Sequence, residues 1–174
     1  MLEVPTLRGG DVLLRPWAMS DVPAVVAAAA DPYIPQVTTV PAEGGELAAR
    51  AYISRQWSRA RSGQGYSFAI CAPVRAVGQI GLWPREGVAS IGYWLVPAAR
   101  GRGLAARALA VLVEWASSNG HQSLELFVEP WNEASLVTAR RCGFVDAGTV
   151  RAHHQAGQET RDAVRLTRSS TVDR

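Results

Sequence analysis

The sequence predicts an α/β fold in which helices pack on one mixed β-sheet. Apolar runs of strand length alternate with stretches of helical periodicity along most of the chain. The run IGYWLVP leads through a loop of Arg and Gly into an amphipathic helix, as in other α/β proteins. A chain of 174 residues is long enough for one domain with a substantial core and short for two. We therefore expect a single domain over residues 1–174, with its core at about 12–167.

The first half of the chain is predicted to hold three strands and two helices. Ser20 and Asp21 can cap an Ala-rich helix, and Gly63 and Gly65 can end the next one. In order, the predicted elements are a strand at Asp11–Arg15, a helix from Ser20 to about Ala30, a Pro-rich loop DPYIPQVTTVP, a helix at Glu43–Arg61, and strands at Tyr66–Cys71 and Ala76–Trp83.

The second half is predicted to hold four strands and two helices, which makes about seven strands and four helices in all. Gly143 occupies a helix-terminating position. In order, the predicted elements are a turn at 84–89, a strand at Ile91–Val96, a helix from Gly103 to near Asn119, a strand at Ser123–Val128, a helix at Glu133–Arg141, and strands at Phe144–Arg151 and Thr160–Thr167 joined by a polar loop.

The stretch Ile91–Leu109 predicts an anion site between a strand and a helix. The first backbone N–H groups of a helix lack intrahelical partners, and its dipole adds partial positive charge there. Gly101 and Gly103 let a ligand approach this backbone, and Arg100 and Arg102 add full charges. The dinucleotide fingerprint would need a third glycine where Ala106 stands, and the P-loop would need a Lys, which this chain lacks.

The remaining pattern, Arg-x-x-Gly-x-Ala directly after a strand, resembles the GNAT superfamily of acyl-CoA-dependent N-acetyltransferases. IGYWLVP followed by RGRGLA is similar to its RimJ/RimL branch, whose founding members acetylate protein N-termini. Further agreement lies in LLRPW, YSFAI, VGQIGL, GF and RDAVRL. The resemblance implies a GNAT-like fold and acetyl-CoA as co-substrate, with no metal.

The resemblance also implies a set of coenzyme-binding positions. Main-chain groups late in the signature strand would pair with the pantetheine arm, and one N–H there would polarise the thioester carbonyl. The loop and first helical turn would hold the pyrophosphate. The implied positions are Leu95, Val96, Arg100, Gly101, Arg102, Gly103, Leu104, Ala105, Asn132 and Ser135.

The segment EPWNEASLVTARRCGF carries the implied general acid. Asn132 and Ser135 are three residues apart at the start of a helix and share a face. In the branch that this chain resembles, such a Ser protonates the leaving sulfur, which makes Ser135 our candidate. Other GNAT enzymes use a Tyr at the position of Ala139. An alternative interpretation makes Asn132 an ordinary helix cap and Ser135 an ordinary helix residue.

The sequence leaves the general base open. Residues 89–92 carry no carboxylate, and Glu86 lies in the preceding turn. His153 and His154 follow the sixth strand, near the acceptor site of the fold, and an imidazole titrates in the right range. We therefore name His154 as the candidate base. Solvated loop histidines, Glu129 and a water chain remain as alternatives.

Acceptor specificity is expected in the N-terminal part, at the loop 31–41 and the helix after it. Candidate apolar walls are Tyr33, Trp57 and Trp83. The acids that would attract a cationic amine, or would simply be solvated, are Asp31, Glu43 and Glu46. Asp162 is expected to be structural or to make a dimer contact.

Composition restricts the protein class. Apolar residues make up 48% and charged residues 19%, as in ordinary soluble proteins. No apolar run approaches a membrane span, and the first residues do not resemble a signal peptide. A net charge of +3 is too small to indicate nucleic-acid binding. Cys71 and Cys142 are far apart and indicate neither a metal site nor a disulfide framework. We expect a cytoplasmic protein, with a homodimer possible.

The leading hypothesis is an N-acetyltransferase that moves the acetyl group of acetyl-CoA to a primary amine. Its acceptor would be a protein or peptide N-terminus or a small-molecule amine. A second hypothesis is a non-catalytic acyl-CoA-binding or regulatory module, because the Tyr and the strand carboxylate are both missing. A third is a structural domain with a coincidental loop. Coenzyme release in the presence of amines separates the first from the others.

Overall fold

The computed structural model describes residues 1–156 and 159–169. Its strands form one eight-stranded sheet in the order β1-β2-β3-β4-β5-β6-β8-β7. Every neighbouring pair is antiparallel except β5 and β6, which are parallel. The strands are β1 (Leu7–Gly9), β2 (Val12–Arg15), β3 (Tyr66–Cys71), β4 (Ala76–Arg85), β5 (Val88–Leu95), β6 (Ser123–Val128), β7 (Val145–Ala156) and β8 (Glu159–Ser169).

Five α-helices connect these strands within the described residues. They are α1 (Val22–Ala29), α2 (Ile34–Val37), α3 (Gly45–Arg61), α4 (Leu104–Ser118) and α5 (Glu133–Arg141). Short 3₁₀ turns precede α1 at Met19–Asp21 and α4 at Pro97–Ala99. No helix in the described part of the chain is both long and apolar enough to cross a membrane.

The predicted α/β fold with a mixed sheet is confirmed, and the element count rises by one strand and one helix. The added strand, β1, is only three residues long and pairs with β2 alone. The added helix, α2, forms inside the predicted Pro-rich loop. The side chain of Asp31 accepts hydrogen bonds from the N–H groups of Tyr33 and Ile34, both at 2.9 Å, and so starts that helix.

Two predicted loops are wrong, because strands extend into both. Residues 84–89 are not one turn: β4 pairs with β5 up to Arg85 and Val88, which leaves only residues 86 and 87 to turn. Pro84 is tolerated because it lies beyond the last β3–β4 pair at Leu82. The polar segment after Arg151 likewise continues β7, after an irregularity in its pairing with β8.

The helices cover both faces of the sheet, and consecutive residues of β5 show which helix lies where. Successive side chains of a strand point to opposite faces. The Tyr93 hydroxyl donates to the Ser135 carbonyl oxygen on α5, whereas Trp94 packs on Trp17, which contacts Tyr52 of α3. We call these the α5 face and the α3 face.

The sheet opens between its two parallel strands. β5 and β6 are paired only where Ala89–Ile91 lie beside Leu124–Leu126. Beyond Ile91, β5 continues along β4 as far as Leu95, while β6 stays paired with β8 to Val128. The two strands therefore separate and leave a gap, and this gap positions the site described next.

Candidate active site

A cavity of about 460 Å³ fills the gap between β5 and β6 and reaches both faces of the sheet. On the α5 face it is bordered by Tyr93, Asn132 and Ser135. On the α3 face it is bordered by side chains from α3, the loop before it, β5, and the ends of β6 and β7. These include Thr39, Arg59, Trp94, Glu129, His153 and His154. The cavity is therefore lined from both faces of the sheet at the open strand edge.

Main-chain groups of Tyr93 and Leu95 line this edge. In an antiparallel pair, alternate residues direct their backbone groups to the same neighbour. The Val96 N–H donates to Val77 O at 2.9 Å, so by this alternation Tyr93 and Leu95 direct theirs toward β6. They lie beyond the last β5–β6 pair. The Leu95 N–H is thus placed to pair with a ligand in the gap, whereas the Val96 N–H is already bonded within the sheet.

The loop before α4 has the geometry of an open hydrogen-bond cradle. Gly101 and Gly103 have φ of +73° and +71°, a region that glycine adopts most readily. A Cβ atom at Gly101 would meet nothing within 4 Å. Within the described residues, the N–H groups of Leu104, Ala105 and Ala106 make no hydrogen bond, as is usual in a first helical turn. These features fit the pyrophosphate of a coenzyme.

The guanidinium of Arg100 is not a free charge in this cradle, contrary to the sequence prediction. Its Nη2 lies 2.9 Å from Asp31 Oδ2, and its Nε donates to Leu95 O at 3.1 Å. Arg102 is exposed, and its carbonyl oxygen accepts from Arg107 Nη2 at 2.8 Å. Within the described part of the chain, the backbone N–H groups and the exposed Arg102 are therefore the free donors of this loop, while Arg100 joins the end of β5 to the segment before α2.

Asp31 consequently does not attract an acceptor amine. Its side chain is buried and already accepts from two backbone N–H groups and from Arg100. Burial alone would raise the pKa of this carboxyl, but the two N–H donors and Arg100 outweigh burial and lower that pKa. Glu43 and Glu46 are exposed. None of these three acids borders the cavity.

Asn132 and Ser135 come together at the start of α5. The Asn132 side chain accepts from the Ser135 N–H at 3.2 Å, so Asn132 is a helix cap and also borders the cavity. The Tyr93 hydroxyl donates to the Ser135 carbonyl oxygen at 3.3 Å. Burial raises the pKa of Tyr93, so its phenol stays protonated. Tyr93 thus supplies a second hydroxyl beside Ser135. The sequence analysis did not identify Tyr93, although alternation along the strand predicts the face on which its side chain lies.

A buried carboxylate ends β6 on the α3 face. Glu129 is 3% exposed, and its Oε1 lies 2.9 Å from His154 Nε2 and 3.3 Å from Arg161 Nη1. Burial and the Glu129 carboxylate raise the pKa of Tyr33 to about 12, so its phenol remains a donor. The two candidates for the base, His154 and Glu129, are therefore in contact with each other, and Arg161 neutralises the carboxylate.

A bulge in β7 brings both histidines to the cavity. Neighbours on a regular strand point to opposite faces, yet His153 and His154 both line the cavity. The β7–β8 register shifts between Val150 and His154, and Ala152 has φ of +51°, which is uncommon for a residue other than glycine. The Asp162 side chain accepts from the Ala152 N–H at 2.9 Å. Asp162 is therefore structural, as expected, and fixes the bulge.

His153 lies flat against an aromatic ring at the edge of the cavity. Its imidazole stacks on Phe127 with ring centroids 4.1 Å apart. Burial and the neighbouring His154 lower the pKa of His153, so it is neutral at pH 7. This packing marks His153 as a wall of the site and distinguishes it from His154.

The aromatic walls predicted from the sequence are confirmed at two of three positions. Tyr33 and Trp83 line the cavity. Trp57 does not: its indole N–H donates to Trp17 O at 2.8 Å, beside a separate hollow below the N-terminal segment. Trp131 is 62% exposed and packs edge-on against Tyr33 with centroids 4.7 Å apart. Tyr33 and Trp131 thus form an aromatic rim.

Comparison with known sequences identifies one matching family. Its model is described as an acetyltransferase (GNAT) domain and matches residues 11–145. No curated protein matches the chain.

Solved structures with the same fold include several acetyltransferases. Mycobacterium smegmatis RimJ in complex with CoA-disulfide has a TM-score of 0.82 at 23% identity, covering 96% of this chain and 87% of that chain. An acetyl transferase from Salmonella typhimurium that modifies the N-terminal serine of ribosomal protein L7/L12 has a TM-score of 0.80 at 20% identity, covering 93% and 96%. The microcin C7 self-immunity acetyltransferase MccE, with acetyl-CoA and AMP, has a TM-score of 0.80 at 15% identity, covering 93% and 94%. At these identities the likeness establishes the fold.

Proposed function

Because the chain belongs to the GNAT acetyltransferase family, we propose that it transfers the acetyl group of acetyl-CoA to the N-terminal amine of a protein or peptide. Family membership makes it an acetyl-CoA-dependent N-acetyltransferase. The choice of acceptor is supported by relatives of the same fold that modify ribosomal-protein N-termini.

The observation that carries the proposal is a cavity that is lined from both faces of the sheet across one open strand edge. Acetyl-CoA, which supplies the acetyl thioester, would enter on the α5 face, where the cradle at residues 101–106 meets its pyrophosphate. An amine would enter on the α3 face, beside Glu129 and His154. The two reactants then meet in a fixed geometry, and this proximity is itself a large part of catalysis.

In this proposal, five groups at the gap have separate tasks. The Leu95 N–H donates a hydrogen bond to the oxygen that gains negative charge. His154 accepts a proton from the amine, and Glu129 stabilises the resulting imidazolium. The Ser135 hydroxyl delivers a proton to the leaving sulfur, and the Tyr93 phenol lies close enough to share this task.

Coenzyme A release from acetyl-CoA, measured across acceptors, tests this function. The panel holds peptides with free N-termini, the same peptides with acetylated N-termini, spermidine, an aminoglycoside and single amino acids. We expect release with free N-termini and none with the blocked peptides. Release with a small amine alone would show that the acceptor is a small molecule and not a peptide N-terminus. Binding of acetyl-CoA without release on any acceptor would favour a non-catalytic module, which the alanine at position 139 also fits.

A further inference from the structure

Arg59 extends from α3 into the acceptor side of the cavity and is held there by neutral groups. Its Nη1 donates to Gln56 Oε1 at 3.0 Å, and its Nη2 lies 3.5 Å from Thr39 Oγ1. Gln56 is only 2% exposed and is itself fixed by donating to Tyr52 O at 3.2 Å. A buried amide therefore orients the guanidinium toward the cavity.

The charge of Arg59 is not compensated within the described residues. No carboxylate there lies within ion-pair distance of its guanidinium. Glu129 is the only acid among the described residues that line the cavity, and it is already paired with Arg161. Because Arg161 offsets Glu129, the uncompensated charge of Arg59 leaves the acceptor side of the cavity with a net positive charge.

The indole of Trp94 lies on the same wall but is engaged within the protein. The Trp94 side chain is 5% exposed and lines the cavity, and it donates to the Tyr52 hydroxyl, which in turn donates to Gln79 Oε1. Arg59 is therefore the charged donor on this wall, and a guanidinium held by neutral partners suits an anionic oxygen.

On this basis, and resting on the proposed acetyltransferase function, we infer that Arg59 binds a carboxylate of the acceptor close to the amine that is acetylated. The carboxylate would be an acidic side chain near the N-terminus of a peptide, or the α-carboxylate of a free amino acid. Polyamines and aminoglycosides fit poorly, because a cationic wall repels polycations. The same positive charge disfavours the ammonium form of the acceptor and so favours the neutral amine, which is the nucleophile.

Two matched acceptor pairs test the inference in the wild-type protein. The peptides Ser-Glu-Ala-amide and Ser-Gln-Ala-amide differ in one charge and carry no terminal carboxylate. Serine and serinamide differ only in the α-carboxylate, so the second pair distinguishes the two sources. We expect the charged member of at least one pair to have a kcat/KM about 10-fold higher, the size of one charge-assisted hydrogen bond, expressed mainly in KM.

Substitutions on α3 attribute the preference to one residue. Arg59→Gln should reduce the preference to near unity while the uncharged acceptor changes less than about twofold. Arg59→Lys should keep part of it, because the charge remains without the planar fork. Arg50→Gln is the control: it removes the same charge from an exposed residue of the same helix, outside the cavity, and should leave the preference intact.

Several results would overturn the inference. These are equal kcat/KM values within both acceptor pairs, an Arg59→Gln variant that slows both members equally, and spermidine as the best acceptor. If no acceptor is acetylated, the proposed function fails, and tryptophan-fluorescence titration with the two peptides decides the subsite separately. Tighter binding of the Glu peptide, lost in Arg59→Gln, would support the subsite, and equal binding would reject it.

Discussion

The carboxylate of Asp162 and the main-chain N–H of Ala152 form a 2.9 Å hydrogen bond that fixes the bulge of β7. Arg151, whose Nη1 lies 3.3 Å from the same carboxylate, adds a second contact. Without the bulge, His153 and His154 would point to opposite faces of the sheet. Asp162, which lies on β8, thus brings both imidazoles to the cavity.

Removing the Asp162 side chain should reduce turnover without affecting the coenzyme. We expect Asp162→Ala to lower kcat about 10-fold through a misplaced His154, whereas Asp162→Asn, which still offers an acceptor oxygen, should lose less. Steady-state kinetics and a calorimetric titration with coenzyme A measure the two effects. Ala152→Gly is the control, since glycine adopts the positive φ without strain. Wild-type kcat in Asp162→Ala would contradict this role.

The two adjacent histidines should differ in their effect on the pH–rate profile. A general base must be unprotonated to act, so its protonation makes kcat/KM fall at acid pH. Removing the base should remove this fall, which is the acid limb of the profile. We expect His154→Gln to lower kcat/KM and change this acid limb. His153→Gln should keep the limb, because its lowered pKa already leaves it neutral. Superimposable profiles for His154→Gln and wild type would exclude His154.

The hydroxyl that protonates the leaving sulfur can be assigned by two single variants and their combination. Ser135→Ala should lower kcat about 10²-fold, the usual contribution of one general acid, with acetyl-CoA binding retained. Tyr93→Phe should have a smaller effect. An unchanged kcat in Ser135→Ala together with a large loss in Tyr93→Phe would transfer the role to Tyr93, and the double variant shows whether the two act together.

The cradle before α4 is testable with two glycines of the same backbone conformation. Gly101 and Gly87 have φ of +73° and +75°, and a Cβ atom at either would meet nothing within 4 Å. Each substitution by Ala should therefore cost about 1–2 kcal/mol of stability. Only Gly101→Ala should also weaken coenzyme A binding, because Gly101 lies in the loop that we propose as the phosphate cradle. Equal affinity in the two variants would place the phosphate elsewhere.

The Asp31–Arg100 pair should leave a pH signature on stability. The folded-state pKa of Asp31 lies below its ordinary value of 3.8. Its ionised form therefore stabilises the fold above that pH, and the contribution is lost as pH falls through the folded-state pKa. Asp31→Asn should cost about 1 kcal/mol at pH 7, with the difference from wild type shrinking in acid. Urea unfolding measures it, and Glu46→Gln, at an exposed acid, should change little.

Most of the fold was predictable because local patterns agree with it. The strand at Ser123–Val128 and the helix at Glu133–Arg141 match the structure residue for residue. The helix predicted from Gly103 begins at Leu104, with Gly103 as its cap. Each has a clear apolar period or a terminating residue. The missed elements lack such signals: β1 spans three residues, and α2 depends on the side chain of Asp31.

The site was only partly predictable, because its key contacts join distant residues. Asn132 and Ser135 are neighbours in sequence, and their shared face followed from helical spacing. The Glu129–His154 contact and the Arg100–Asp31 pair depend on tertiary structure. A sequence shows a charged residue but not its ion-pair partner. Arg100 was therefore predicted to be a free charge, and Arg59 was not predicted to be a site residue. Only the fold shows that the first is neutralised and the second is not.

The brief pairing of β5 with β6 couples the stability of this protein to its ligand. Three residue pairs join two halves of the sheet, one containing β1–β5 and the other β6–β8. A coenzyme that bridges the gap would supply contacts between β5 and β6 that the chain does not make. Its binding free energy would then add directly to the free energy of unfolding. The lifetime of the folded enzyme would then rise and fall with the supply of coenzyme in the cell.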